Sequence, residues 1–186
     1  MTTIISYLDR VSEALGRLLA TASIAIMAIT FLVVVLRYGF NTSGLTIGGV
    51  RLSAIALQES VMYLHAILFM LASAYTLKHN AHVRVDVFYR RFSPRIRAWV
   101  DLLGTLLLLF PMAGFMLWSS LDFVAFSWQI QERSGEADGL PYIYLLKSLI
   151  PLMCGLLLAQ GSIEALRSIA ILSGKLAPTP GESELL

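Results

Sequence analysis

Cysteine is almost missing from this chain: of 186 residues only Cys154 is one, so no disulfide can form within it. Charge is sparse too. Charged residues make up 14% of the chain, and a net charge of +2 is too small to mark a nucleic-acid-binding surface. No nucleophile–base constellation, zinc-ligand spacing or phosphate-cradling loop occurs, and Gly48-Gly49 reads as a turn rather than a nucleotide site. The expectation is a protein that is not an enzyme, with no catalytic, cofactor-binding or metal-binding residues. No internal repeat is evident, which argues against a complete transporter built of inverted halves.

What the chain has in quantity is apolar length. Hydrophobic residues make up 57% of it, at a mean hydropathy of +0.74. Four apolar stretches run over about 18–36, 59–77, 98–121 and 145–163. A span needs about 20 mostly apolar residues, since a helix rises about 1.5 Å per residue against about 30 Å of hydrocarbon. The expected fold is an all-α integral membrane protein with four transmembrane helices. It forms a single membrane domain over 1–172, followed by a disordered cytoplasmic tail over 173–186. The first apolar run ends in Arg37-Tyr38-Gly39-Phe40 rather than a small-residue cleavage site, so it reads as a retained span.

Charge placement orients the bundle. Lys78, Arg84, Arg90, Arg91, Arg95 and Arg97 lie between the second and third stretches, Arg10 and Arg17 before the first, and Arg167 and Lys175 after the fourth. Only Arg37, Arg51, Arg133 and Lys147 fall on the other side, where Asp122, Glu132, Glu136 and Asp138 also lie. By the positive-inside rule both termini are cytoplasmic. Short interfacial amphipathic helices are expected at three places. One is the lead-in over 1–17. Another lies between Asn41 and Gln58, where Ile47, Val50, Ala54 and Leu57 share a helical face; an apolar loop packed on the bundle fits equally. The third is the cytoplasmic loop, where Val85, Phe88, Tyr89 and Phe92 share a face and Arg84, Arg90 and Arg91 reach lipid headgroups. Ser93-Pro94 has the form of an N-cap followed by a first-turn proline.

The ionisable residues of the spans sit near their ends. Glu59 opens the second span, Asp101 follows Arg97 by four residues, Lys147 can snorkel from the fourth, and Glu164 and Arg167 mark its inner end. No span carries a carboxylate at its midpoint, so the usual engine of an ion-coupled carrier is missing. His65 is the one ionisable group well inside a span. As a haem ligand it lacks a histidine at similar depth, since His79 and His82 lie at the cytoplasmic end, and a hydrogen-bonded helix–helix contact is the better reading. Pro111 and Pro151 are expected to kink their helices, and Gly104 and Gly114 to admit close backbone approach.

Three patches carry a resemblance. They are Arg37-Tyr38-Gly39-Phe40; Ala56-Leu57-Gln58-Glu59 with Tyr75-Thr76-Leu77-Lys78 and the run from His82 to Tyr89; and Ser127-Trp128, Glu132, Ser134, Gly139-Leu140-Pro141 and Leu146-Lys147. Together they resemble the small membrane subunit of tripartite ATP-independent periplasmic (TRAP) transporters, the DctQ-like family, over about residues 8 to 170. The branch it looks most like is the one labelled for 2-oxo acids, mannitol or chloroaromatic compounds. The resemblance implies a non-catalytic scaffold in the bacterial inner membrane. Its partners would be a large elevator-type membrane subunit, a periplasmic substrate-binding protein and membrane lipids, in a sodium-coupled importer of an organic acid. On that reading Arg37, Glu59, His82, Arg84, Asp86, Arg90, Arg91 and Lys147 face the large subunit or lipid headgroups. Trp128, Glu132, Glu136 and Asp138 could dock the binding protein. Two other functions stay open: a four-helix membrane anchor of an electron-transfer complex, and a small homo-oligomeric exporter.

Overall fold

The computed structural model describes residues 20–47, 50–78 and 92–176. Its described residues contain four helices long and apolar enough to cross a membrane. They are α1 (Ala20–Gly39), α2 (Ala54–Leu77, its last turn reaching Lys78), α3 (Pro94–Gln129) and α4 (Ile143–Leu172). The lead-in over 1–17, the cytoplasmic-loop residues His79, His82, Arg84, Val85, Asp86, Phe88, Tyr89, Arg90 and Arg91, and the end of the tail from 177 lie outside the described residues.

α4 is the organising helix, packed against α2 and along both halves of α3. The residues it buries are small or polar for the most part: Cys154, Gln160, Gly161, Ile163, Ala165 and Ser168. α3 answers with Ala98, Leu102, Ala113, Ser120 and Ser127. Lipid tails are as apolar as leucine, so burying leucine gains little here, and helices associate by bringing small residues close. α1 is largely exposed, with Ile24, Met27 and Phe31 each about two-thirds open.

Two features of α3 follow from its sequence. It begins at Pro94, whose missing N–H costs nothing in a first turn, although the Ser93 side chain makes no capping bond. Further on, Thr105–Leu109 forms one π-helical turn in which the Phe110 N–H reaches the Thr105 carbonyl. Pro111 follows at once and has no N–H for the carbonyl four residues back, so the wider turn absorbs a gap that would otherwise break the ladder. The neighbouring helix is cut to fit. A Cβ on Gly161 would run into Leu109 Cδ2 and sit 3.0 Å from Phe110 Cε1. The close approach expected at Gly104 and Gly114 is not found there, since nothing lies within 4 Å of a Cβ at either. α4 runs unbroken through Pro151.

The interfacial helix expected between Asn41 and Gln58 is replaced by a hairpin. β1 (Gly44–Ile47) and β2 (Val50–Ser53) pair antiparallel, with Gly44 opposite Ser53 and Ile47 opposite Val50. β-branched residues on either side of a Gly-Gly pair are the composition of a tight hairpin, and this local chemistry outweighs the helical spacing of Ile47, Val50, Ala54 and Leu57. Gly44 is needed for the pairing, because a Cβ there would meet the Leu52 carbonyl oxygen at 2.5 Å. α2 starts directly after the hairpin, so Ala54 and Leu57 belong to the span itself.

Candidate functional site

Of the side chains the sequence singles out, Arg37, Glu59, Trp128, Glu132, Glu136, Asp138 and Lys147 converge at the end of the bundle that the charge pattern places outside. Three devices hold them. The first is the end of α3. Ile130 closes the helix and Gln131 turns left-handed at φ 47°. The Gln131 N–H then reaches the Trp128 carbonyl and the Glu132 N–H reaches Ser127. This Schellman arrangement folds the chain back on the helix end. It delivers the Glu132 carboxylate to the Ser127 hydroxyl at 2.6 Å and to Lys147 Nζ of α4 at 2.5 Å. Lys147 also lies 4.0 Å above the Phe123 ring. Those two donors hold the Glu132 carboxyl below the usual carboxylate range, the Lys147 bond contributing most. Trp128 donates from Nε1 to Ser148 Oγ at 2.8 Å and meets the Tyr144 ring edge-on at 4.7 Å.

The second device ties the loop over 130–142 to α2. Glu59 accepts the Leu140 N–H at 2.6 Å on one oxygen and the Ser134 hydroxyl on the other. Gly139 sits where a Cβ would meet Ser134 and come within 2.7 Å of Glu59 Oε1, so only glycine lets the loop close on the carboxylate. The third is the start of α2. Ser53 Oγ accepts the Ala56 N–H, which caps the helix, and donates to the Asp138 carbonyl, both at 2.9 Å.

These contacts give the residues partners within the chain. Lys147 is held by Glu132, 15 positions earlier in the chain, and by the Phe123 ring. Glu59 lies in the second turn of α2 rather than at its opening, and both its oxygens face the chain's own loop. Glu132 and Trp128 likewise serve internal contacts, whereas the Glu136 and Asp138 side chains are exposed. Arg37 donates to Gln58 Oε1 at 3.3 Å, joining α1 to α2. Beside that bond opens a groove of about 690 Å³ whose polar lining is Arg37, Gln58, Glu59, His65 and Glu136. His65 makes its hydrogen bond within its own helix, with Nδ1 3.0 Å from the Val61 carbonyl, rather than to a neighbouring helix. At the opposite end of α4, Glu164 pairs with Arg167 at 3.2 Å and accepts from the buried Gln160. The contact roles of Ser53, Ser134 and the Leu140 N–H were not read from the sequence, although Ser134 and Leu140 stand in the patches that carry the resemblance. Only Ser53 had a signal, as a serine directly before an apolar helix.

The family model described as "Tripartite ATP-independent periplasmic transporters, DctQ component" matches residues 26–170. The chain belongs to the DctQ family. That match takes in all of the outer-end network, from Arg37 to Ser148, and most of all four spans. No curated protein and no solved structure gives a significant match. As a DctQ component the chain is the small membrane subunit of a TRAP transporter, and a multi-pass protein of the inner membrane. Other DctQ components work with a large membrane subunit and a periplasmic binding protein, in systems where the small subunit belongs to a transporter rather than an enzyme.

Proposed function

We propose that this DctQ component is a static, non-catalytic scaffold. It fixes the frame of a large elevator-type subunit in a sodium-coupled importer of an organic acid, which a periplasmic binding protein delivers. The observation that carries the reading is how the ionisable groups near the outer end are used. Glu59, Glu132 and Lys147 are all committed to holding the loop over 130–142 against α2 and α4. Groups spent on one fixed architecture suit a frame better than an ion pathway, where a carboxylate must exchange partners. Both termini lie in the cytoplasm on this reading, and the cytoplasmic-loop residues His82, Arg84, Asp86, Arg90 and Arg91 face the large subunit or headgroups. The resemblance to the 2-oxo acid, mannitol and chloroaromatic branch supports an organic acid as cargo.

The loop is also the natural docking surface for the binding protein. Its free carboxylates are Glu136 and Asp138, since Glu132 is held by Lys147, and Arg133 is exposed beside them. The test is reconstitution of the chain with its large subunit and binding protein in proteoliposomes carrying a sodium gradient. Omitting this chain should abolish uptake. Glu136→Lys with Asp138→Lys should raise the binding-protein concentration needed for half-maximal uptake, with assembly unchanged. Uptake by the large subunit and binding protein alone would remove the scaffold role, and an unaltered concentration dependence would remove the docking role.

A further inference from the structure

His65 lies about 17 Å along α2 from Ala54, near the middle of a span of 24 residues. Its Nδ1 is 3.0 Å from the Val61 carbonyl. A carbonyl can only accept, so Nδ1 carries the hydrogen, and in that tautomer Nε2 is left as an acceptor. Among the described residues nothing donates to it. The ring stacks on Phe69 at 6.1 Å and stands open with it, as does Met62 one turn earlier. Positions 62, 65 and 69 make one exposed stripe, and the groove at its outer end is shared with Arg37 of α1. α1 carries an exposed stripe of its own, Ile24, Met27, Phe31, Val34 and Tyr38, with the alternating spacing of three and four that knobs-into-holes packing requires.

The medium decides what can cover such a face. Hydrocarbon offers no hydrogen-bond donor, and an unmatched polar atom there is costly. An acyl chain has nothing to donate, a lipid headgroup lies at the level of Glu59, about 9 Å further out along α2, and water in the groove can reach the ring edge but covers neither Met62 nor Phe69. A second copy of this chain presenting the same face would bring another acceptor Nε2. What matches is a protein helix carrying a donor at the depth of His65.

We propose that the face of α2 formed by Met62, His65 and Phe69 receives a transmembrane helix of the large membrane subunit, which donates a hydrogen bond from a hydroxyl or side-chain amide to His65 Nε2. This rests on the reading that the chain works with a large subunit. The test uses the full transporter in native-host membranes. A photo-reactive benzoylphenylalanine replaces Met62 or Phe69, and in separate strains His65→Leu or His65→Gln is carried on the tagged chain. The expected result is crosslinking from both positions to the copurifying large subunit, identified by mass spectrometry. Recovery of that subunit should fall about 3- to 15-fold for His65→Leu, the range of one interhelical hydrogen bond. Recovery should return with His65→Gln, whose amide oxygen can stand where Nε2 was. Crosslinks confined to lipid or to a second copy overturn the proposal, as does equal recovery with His65→Leu. If the large subunit still copurifies in those cases, the scaffold reading stands and only this face is wrong. A wild-type chain that purifies without any large subunit defeats both.

Discussion

Glu59 is the residue whose removal should be felt most specifically. Its carboxylate is the only described acceptor for the Leu140 N–H and also takes the Ser134 hydroxyl, closing contacts across 81 and 75 positions of sequence. Hydrogen bonds to a charged group contribute about 1.5–3 kcal/mol each, so Glu59→Ala forfeits about 3 kcal/mol even at the lower end. Glu59→Gln keeps the shape. Its oxygen can accept from Leu140 while its amide donates to a rotated Ser134 hydroxyl, so only the charge assistance is lost, about 1–1.5 kcal/mol. The loss is local, because the loop over 130–142 opens without dismantling the packing of α3 on α4. Amide exchange read by mass spectrometry on the chain in nanodiscs measures that opening directly. At about 1.4 kcal/mol per decade, peptides covering 134–142 should exchange about 100-fold faster in Glu59→Ala and about tenfold faster in Glu59→Gln, with α4 peptides unchanged. Unchanged exchange at Leu140 in Glu59→Ala would refute the assignment of this carboxylate as the loop's clasp.

The Glu132–Lys147 pair makes the outer end acid-sensitive. Because the folded carboxyl is depressed below its ordinary value of 4.5, its stabilisation is complete above that value and is lost as pH falls through the depressed one. Thermal midpoints in detergent should therefore drop below about pH 4.5, and Lys147→Met should shrink that drop; equal pH profiles would exclude the pair as its source. At the fitted contact between α3 and α4, Gly161→Leu should destabilise by about 1–3 kcal/mol through overpacking against Leu109 and Phe110. Gly155→Leu is the control, since nothing lies within 4 Å of a Cβ there, and similar midpoints for the two variants would contradict the packing described.

The spans could be read from the sequence because bilayer thickness sets helix length whatever the neighbours. The hairpin at 44–53 could not, since Ile47, Val50, Ala54 and Leu57 fit a helical face while Thr46, Ile47 and Val50 about Gly48-Gly49 fit a turn, and so short a window satisfies both periods. Glu59, Lys147 and Glu132 stood out as charges near apolar runs, but their partners are fixed by how the loop folds back. That depends on Gln131 adopting a left-handed turn that its residue type does not advertise. The aim of His65 is likewise tertiary: spacing places it on the face with Met62 and Phe69 but does not say whether that face meets α4 or the outside.

The length of α3 sets a relation between this protein and its membrane. Its 36 residues make about 54 Å of helix, well beyond the hydrocarbon thickness of about 30 Å. Two half-open tryptophans, Trp99 and Trp128, stand about 43 Å apart along it, close to the 40–45 Å between opposite headgroup layers where such rings prefer to sit. α3 is thus gauged to one bilayer thickness, and a thinner membrane must tilt it. Trp128 is fastened to Ser148, and Glu132 just beyond it to Lys147, so the tilt is handed on to α4 and to the loop above. Lipid chain length then becomes a control on the angle at which that loop stands on the membrane surface.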